Sequence, residues 1–188
     1  MPKFFPARWG FPLLMAGWLT LWSGSALSAR GQARPAATPT ATKATRPGLT
    51  TLRIGGLVAT PRTLTAAELA ALPRREQALT DQEGRRRVYR GVALADVLAL
   101  AGAPAGASIH GPVLAQAVLA TGADGYQAVF ALPEIDPAFA TQPILLADQL
   151  DGQPLPAKNG PYQLVVPLEK RPTRWVRQLT DLRVVNVQ

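Results

Sequence analysis

The sequence predicts an α+β fold with a mixed, mainly antiparallel sheet and a few short helices. Short segments that alternate polar and apolar residues, or are fully apolar, recur along residues 49–188 and are typical of strands. Apolar residues at helical spacing occur only in short stretches between these segments. The two kinds of segment do not form regular strand–helix–strand repeats, which would favour a parallel sheet. These observations indicate a single α+β domain.

The first half of this domain is predicted to contain three strands and two helices. Thr65 and Glu68 have the spacing of a capping box, in which each side chain accepts a hydrogen bond from the other residue's backbone amide. This motif predicts a short helix that Pro73 ends. The turn at residues 81–84 predicts a hairpin between two alternating segments. The predicted strands are residues 51–58, 74–80 and 85–92, and the predicted helices are residues 65–72 and 94–101.

The second half is predicted to contain five strands and one helical turn. Residues 122–125 are typical of a turn between two paired strands. The Asp136-Pro137 pair is a common helix start and predicts a helical turn over residues 133–139. Residues 144–147 are all apolar, so we expect this strand at the centre of the sheet. The predicted strands are residues 115–121, 126–132, 144–147, 162–166 and 182–187.

The formal charge of +8 is concentrated at the amino terminus. Residues 1–48 contain six basic and no acidic side chains, whereas the remaining residues contain 14 basic and 12 acidic side chains, a surplus of two. A surface that follows a nucleic-acid backbone needs a broader basic surplus. The charge distribution therefore predicts no nucleic-acid partner.

Residues 1–29 are predicted to be a signal peptide, because basic residues precede an apolar run and a small-residue tail. The alternative is an uncleaved membrane anchor, but the apolar run is about a dozen residues, against the roughly 20 that span a bilayer. No stable membrane span is therefore expected after cleavage. Residues 30–48, rich in Ala, Thr and Pro, are predicted to be a disordered linker, and residues 49–188 the domain. We expect a periplasmic or secreted protein.

The chain contains no cysteine and only one histidine, His110. Disulfides, thiolate nucleophiles, zinc–sulfur sites and iron–sulfur clusters are therefore excluded. No metal ligand is assigned from the sequence.

Four cations fall within eight residues near the carboxyl terminus, in a part of the chain that we call the basic segment (residues 170–177). They are Lys170, Arg171, Arg174 and Arg177, and Trp175 lies among them. If Arg174 and Arg177 lie on one helical turn, they share a face and can hold one phosphate with forked hydrogen bonds. The alternative is a solvated, charged edge that discourages aggregation.

Two other groups of residues have functional and structural interpretations. Ser108 and His110 would face the same way in a strand, as a nucleophile and its base do, but their Gly/Pro-rich surroundings favour an incidental loop pair. The carboxylates of Asp124, Glu134 and Asp136 could accept hydrogen bonds from a ligand or cap turns, and capping is the favoured interpretation.

Three ordered blocks resemble a known family. They are YRGVALADVL (residues 89–98), ADGY (residues 123–126) and GPYQLVVPLEKRPTRWVR (residues 160–177). Together they resemble the molybdopterin-binding domain of the sulfite oxidase and methionine sulfoxide reductase catalytic-subunit superfamily, in a minimal stand-alone form. The resemblance covers about residues 50–187. It implies a sulfite-oxidase-like fold and the molybdenum cofactor as ligand.

The resemblance also implies which residues contact that cofactor. The basic segment would help to hold the phosphate of the pterin, and the ADGY block would border the active-site cleft. The residues implicated in this way are Arg174, Arg177, Lys170, Arg171, Asp124 and Tyr126.

One departure from the family pattern concerns the metal. Catalytic members carry a molybdenum-ligating cysteine in the interval that matches residues 78–90, and this interval contains no thiol here, although Asp81 offers an oxygen. The chain is also short for the full catalytic domain.

We therefore expect an exported molybdopterin-binding domain protein of the oxidoreductase type that lacks this cysteine. Its expected partners are a phosphate-bearing cofactor or small anion and an envelope redox partner. The alternative is a non-catalytic periplasmic accessory module that binds a partner chain or a small anion.

Overall fold

A computed structural model of the protein describes residues 51–187. The predicted signal peptide (residues 1–29) and linker (residues 30–48) lie outside the described residues. No helix between residues 51 and 187 combines the length and apolar character that a membrane crossing requires.

Ten strands form two five-stranded sheets. The strands are β1 (Leu52–Gly56), β2 (Arg62–Leu64), β3 (Arg74–Thr80), β4 (Arg86–Ala93), β5 (Gln116–Gly122), β6 (Gln127–Ala131), β7 (Leu145–Leu150), β8 (Gln153–Pro154), β9 (Gln163–Val165) and β10 (Leu179–Asn186). The first sheet has the order β2-β1-β10-β5-β6, and the second has the order β3-β4-β7-β8 with β9 also paired to β7. Only β1 and β10 pair in parallel. The predicted α+β class with mainly antiparallel pairing is confirmed.

Both predicted hairpins are present. Strands β3 and β4 pair from Arg74 opposite Val92 to Thr80 opposite Arg86, and β5 pairs with β6 around the predicted turn. Strand β7 is central, because it pairs with β4, β8 and β9. The sequence did not predict β2 and β8, which are only three and two residues long.

The close approach of β4 to β7 explains the glycine in the YRGVALADVL block. A Cβ atom at Gly91 would lie 2.0 Å from the carbonyl oxygen of Leu146. The β4–β7 register also shifts between Arg90 and Gly91. Only glycine allows the two backbones to come this close.

Three short α-helices join the strands, namely α1 (Ala66–Ala70), α2 (Leu94–Ala99) and α3 (Leu132–Ile135). The predicted capping box opens α1: the amide of Glu68 donates to Thr65 Oγ1 at 3.3 Å, and the amide of Thr65 donates to Glu68 Oε2 at 2.8 Å.

The predicted helical turn over residues 133–139 is present in part: α3 begins before the Asp136-Pro137 pair, and a single turn follows the pair, in which the amide of Ala140 donates to the carbonyl oxygen of Asp136 at 2.9 Å. Helix α3 begins at Leu132, where Pro133 lies in its first turn and Glu134 Oε1 accepts from the amide of Ala131 at 2.8 Å. Asp136 follows the end of α3, and its carboxylate accepts from the amides of Gly106 at 2.7 Å and Ala138 at 2.8 Å. These two bonds fix the loop that follows the helix.

The centre of the second sheet, at residues 145–147 of β7 and in β9, is buried on both faces. Along β7 and β9, Leu146 and Leu164 contribute to the main core that both sheets share. The alternate side chains of Leu145, Ala147 and Val165 form a smaller cluster on the opposite face, packed against Leu79, Tyr89 and Trp175. Burial on both faces explains why residues 144–147 are uniformly apolar.

Truncating a leucine in the main core tests this packing. Leu164 is completely buried, so Leu164→Ala should lower the free energy of unfolding by about 2–5 kcal/mol because it leaves a cavity. Leu168→Ala is the matched control, since Leu168 is 68% exposed, and it should change that energy by less than about 0.5 kcal/mol. Equal effects in urea titrations of the two variants would contradict the assigned core.

Candidate functional site

A cleft of about 460 Å³ opens over the smaller cluster of the second sheet. Its volume lies within the range of roughly 300–1,000 Å³ typical of small-molecule sites. Three parts of the chain surround it. They are the β3–β4 turn, the loop before β9, and the residues after β9, which include the basic segment. The lining residues that carry charge are Asp81, Glu83, Arg87, Lys158, Glu169, Lys170 and Arg177.

Two aromatic side chains form the apolar wall of the cleft. The rings of Tyr89 and Trp175 meet edge to face, with centroids 5.4 Å apart and planes at 90°. The indole Nε1 of Trp175 donates to the carbonyl oxygen of Val166 at 3.3 Å. Burial raises the pKa of the Tyr89 hydroxyl. Because the two planes are perpendicular, at most one of the two rings can lie flat against a planar ligand.

The cleft carries three cations that have no ion-pair partner among the described residues. Within residues 51–187, Lys158, Lys170 and Arg177 have no carboxylate oxygen within 4.0 Å. The fourth lining cation, Arg87, donates from Nε to Asp151 at 2.7 Å. Uncompensated positive charge around a concave surface favours an anionic ligand.

All three carboxylates of the lining are paired with arginines, and two of them share Arg85. Asp81 accepts from the Arg85 side chain at 2.8 Å and from the amides of Arg85 and Glu83. Glu83 also accepts from Arg85, at 3.0 Å, and Glu169 accepts from Arg174. Desolvation acts to raise the pKa of Asp81, but its hydrogen bonds with Arg85 outweigh this and lower it. The net charge of the lining is therefore positive.

Three buried oxygen atoms of the lining residues lack a hydrogen-bond partner. They are Asn159 Oδ1, Gln163 Oε1 and Glu169 Oε2. Gln163 is only 4% exposed. It lies on the same face of β9 as Val165, which belongs to the smaller cluster. A buried acceptor without a donor costs about 1–3 kcal/mol. A ligand that donates hydrogen bonds would remove this cost.

Arg174 connects several structural elements through its hydrogen bonds and does not line the cleft. Its guanidinium donates to Glu134 at 2.9 Å, to Glu169 and to the carbonyl oxygen of Val129 at 3.0 Å. It also lies 4.8 Å from the centre of the Phe130 ring. The hydrogen bond to Glu134, followed by the one to Glu169, raises the pKa of Arg174 despite desolvation. Arg174 thereby joins β6, α3 and the wall of the cleft.

Arg174 and Arg177 do not share a helical turn, contrary to the condition set from the sequence. A 3-10 helix covers Pro172–Arg174 and ends there, and Trp175 has φ −79° and ψ 79°. The next residue, Val176, is completely buried. Arg177 therefore faces the cleft, while Arg174 faces the two glutamates.

The other residues implied by the family resemblance lie outside the cleft lining. Arg171 is exposed. Tyr126 is 49% exposed, and its hydroxyl donates to the carbonyl oxygen of Thr173. Asp124 accepts from the amide of Tyr126 at 3.0 Å. The β5–β6 turn thus contacts the 3-10 helix beside the cleft.

The favoured interpretations of the remaining candidates agree with the structure. Asp124, Glu134 and Asp136 all accept backbone amides as capping residues do. The Ser108 hydroxyl accepts from the amide of Ala105 at 2.9 Å and donates to its carbonyl oxygen. Across the described segment, no hydrogen bond joins it to the exposed His110. This pair belongs to a local turn.

The sequence analysis missed Lys158, Asn159 and Gln163. Lys158 and Asn159 lie in a loop where nothing in the local pattern indicates a ligand. Gln163 had a recognisable signal, since it is the one amide in the apolar run YQLVV. A polar residue inside a buried strand is unusual and indicates a polar neighbour or ligand.

Comparisons with known proteins point to one family. A profile described as oxidoreductase molybdopterin binding domain matches residues 39–188. Among solved structures, that of the sulfane dehydrogenase SoxCD from Paracoccus pantotrophus is similar, with a TM-score of 0.58 and 22% sequence identity. The match covers 73% of this chain and 38% of that chain, so this chain spans well under half of its length. The similarity shows a shared fold. No curated protein sequence matches.

Removing the Arg174 side chain should destabilise the protein. Arg174→Ala leaves Glu134 and Glu169 without their cation and should lower the free energy of unfolding by about 2 kcal/mol. Arg183→Ala is a charge-matched control on the exposed part of β10 and should have little effect. Urea unfolding of both variants measures the difference. An Arg174→Ala variant as stable as the control would contradict the structural role assigned to Arg174.

The ion pair that orients Arg87 predicts an acid-dependent contribution to stability. The amide of Val88, donating to Oδ1 at 2.8 Å, lowers the pKa of Asp151 most, and Arg87 lowers it further against desolvation. A lowered folded-state pKa stabilises the protein fully above the unfolded value of about 3.9, and this contribution is lost as pH falls through the folded value.

We therefore expect Asp151→Asn to be less stable than the natural protein at pH 7 and equally stable below the folded-state pKa. Asparagine tolerates the positive φ of 50° at this position. Thermal unfolding followed by circular dichroism across this pH range measures both proteins. A stability difference that stays constant with pH would contradict the assigned pair.

Proposed function

Because this chain belongs to the oxidoreductase molybdopterin-binding domain family, we propose that its cleft binds a phosphate-bearing pterin cofactor of the kind found in that family. The observation that carries the proposal is the group of uncompensated cations around the cleft, Lys158, Lys170 and Arg177. A pterin cofactor is a planar ring with an anionic phosphate, and the cleft combines aromatic side chains with positive charge.

The lining residues fit the organic part of this cofactor. Arg177 can hold a phosphate with paired hydrogen bonds, and Lys170 and Lys158 add point charges. One of the two aromatic rings, Trp175 or Tyr89, can stack on the planar ring of the ligand. When bound, the molybdenum cofactor of this family supplies two-electron redox chemistry, and the chain would contribute binding and orientation.

The other residues implied by the resemblance have supporting roles in the proposal. Arg174 fixes the wall of the cleft through Glu169, Arg171 adds positive charge at its exterior, and Asp124 and Tyr126 support the 3-10 helix through the contact with Thr173.

The chain does not fit protein ligation of molybdenum. It has no cysteine, and residues 51–187 contain no cluster of three or more His, Asp or Glu side chains that could hold a metal. Asp81, the oxygen offered by the interval that matches the cysteine, is already bonded to Arg85 and two amides. We derive no metal-dependent step for this chain.

Export is part of the proposal and is supported by the leader pattern alone. Basic residues, an apolar run and a small-residue tail in residues 1–29 favour a protein that acts in the periplasm or outside the cell. An envelope redox partner is proposed to go with that location.

The missing cysteine favours the second candidate function, a non-catalytic accessory module that uses the same cleft to bind a partner chain or a small anion.

Cofactor retention tests the proposed function. Protein purified from a bacterial host that makes the molybdenum cofactor should release a fluorescent oxidised pterin in near-stoichiometric amount. Arg177→Ala and Lys170→Ala each remove a charged contact and should weaken retention about tenfold or more. Arg183→Ala removes the same charge elsewhere and should retain as much pterin as the natural protein.

Two results would count against the proposal. Pterin content that is identical in all four proteins would place the ligand outside the cleft. The absence of pterin from every preparation, combined with binding of inorganic phosphate that Arg177→Ala abolishes, would favour the accessory module.

A further inference from the structure

We propose that the cleft takes its ligand in a metal-free form, as a phosphate-bearing heterocycle whose ring N–H groups meet the unpartnered acceptors of the lining. This inference rests on the proposed function and narrows the ligand class. It would make the chain a binding protein for the organic cofactor rather than a molybdenum enzyme.

The first argument comes from the donor atoms. A metal held by a protein needs deprotonated or neutral donors that are free to coordinate it. The cleft has no thiolate or imidazole. Its three carboxylates are Asp81, Glu83 and Glu169, and each is paired with an arginine. Coordinating a metal through any of them would break a charge-assisted hydrogen bond.

The second argument comes from charge. A metal cation coordinated by the protein next to Lys158, Lys170 and Arg177 would add positive charge to a lining that already has a surplus. The phosphate of an anionic ligand relieves that repulsion. The electrostatics of the cleft therefore favour the phosphate of the ligand and disfavour a metal ion held by the protein.

The third argument comes from the unpartnered oxygens. Asn159 Oδ1, Gln163 Oε1 and Glu169 Oε2 are acceptors and have no donor. An amino-substituted heterocycle carries several N–H donors on one edge, whereas inorganic phosphate in its ionised form is mainly an acceptor. A ligand with ring N–H groups and a phosphate satisfies both the acceptors and the cations of the same cleft.

A comparison of two expression hosts tests the inference. One host makes the complete molybdenum cofactor, and the other makes the pterin but cannot insert the metal. The natural protein should carry the same amount of pterin from both hosts, and molybdenum measured by mass spectrometry should be far below one atom per pterin in the first.

Each outcome is decisive. Close to one molybdenum atom per pterin in protein from the first host overturns the inference, whatever the second host gives, and leaves the proposed function standing. Pterin that is present only in protein from the first host overturns the inference as well. The absence of pterin from both preparations overturns the proposed function itself.

The role of the acceptors has its own variant. Gln163→Leu removes a buried acceptor and should reduce pterin content about tenfold. Gln127→Leu, on the exposed side of β6, is the matched control and should leave pterin content unchanged. Circular dichroism verifies that both variants fold. Unchanged pterin content in a folded Gln163→Leu variant overturns the assignment of this acceptor.

Discussion

The cleft depends on one guanidinium group. Arg174 reaches from the segment after β9 to the edge strand β6, to helix α3 and back to Glu169. Because its donors are fixed in a planar fork, it holds these partners in a defined arrangement that a lysine could not. The segment is thereby fixed to β6 of the first sheet, while Trp175 packs on Tyr89 of the second sheet. The shape of the cleft follows from this anchorage.

The four cations of the basic segment therefore divide into two kinds. Arg174 is neutralised by two glutamates and serves the fold. Lys170 and Arg177 line the cleft and have no carboxylate partner among the described residues, and Arg171 is exposed beside them. Positive charge is available to a ligand only where the protein has not already neutralised it. Counting basic residues in a sequence window overestimates the ligand-binding charge for this reason.

Local sequence patterns predicted most of the fold but only part of the site. Alternation predicted the β3–β4 and β5–β6 hairpins, and the uniform apolar character of residues 144–147 predicted a central strand. The partners of Arg174 could not be predicted, since Glu134 is 40 residues away in the sequence. Lys158 and Gln163 reach the cleft through the pairing of β9 with β7. Such proximity is a property of the tertiary structure.

The proposed site for the organic ligand and the interval that matches the family's metal ligand lie in different parts of this fold. The cations and the acceptors belong to the loop before β9, to β9 and to the segment after it, whereas the interval that matches the family cysteine is the β3–β4 hairpin. In that hairpin Asp81 stabilises the turn through Arg85 and two amides. A carboxylate in this role strengthens the wall of the cleft without offering a free metal ligand. The absence of a thiol therefore removes protein ligation of a metal without changing the surface that is proposed to meet the phosphate.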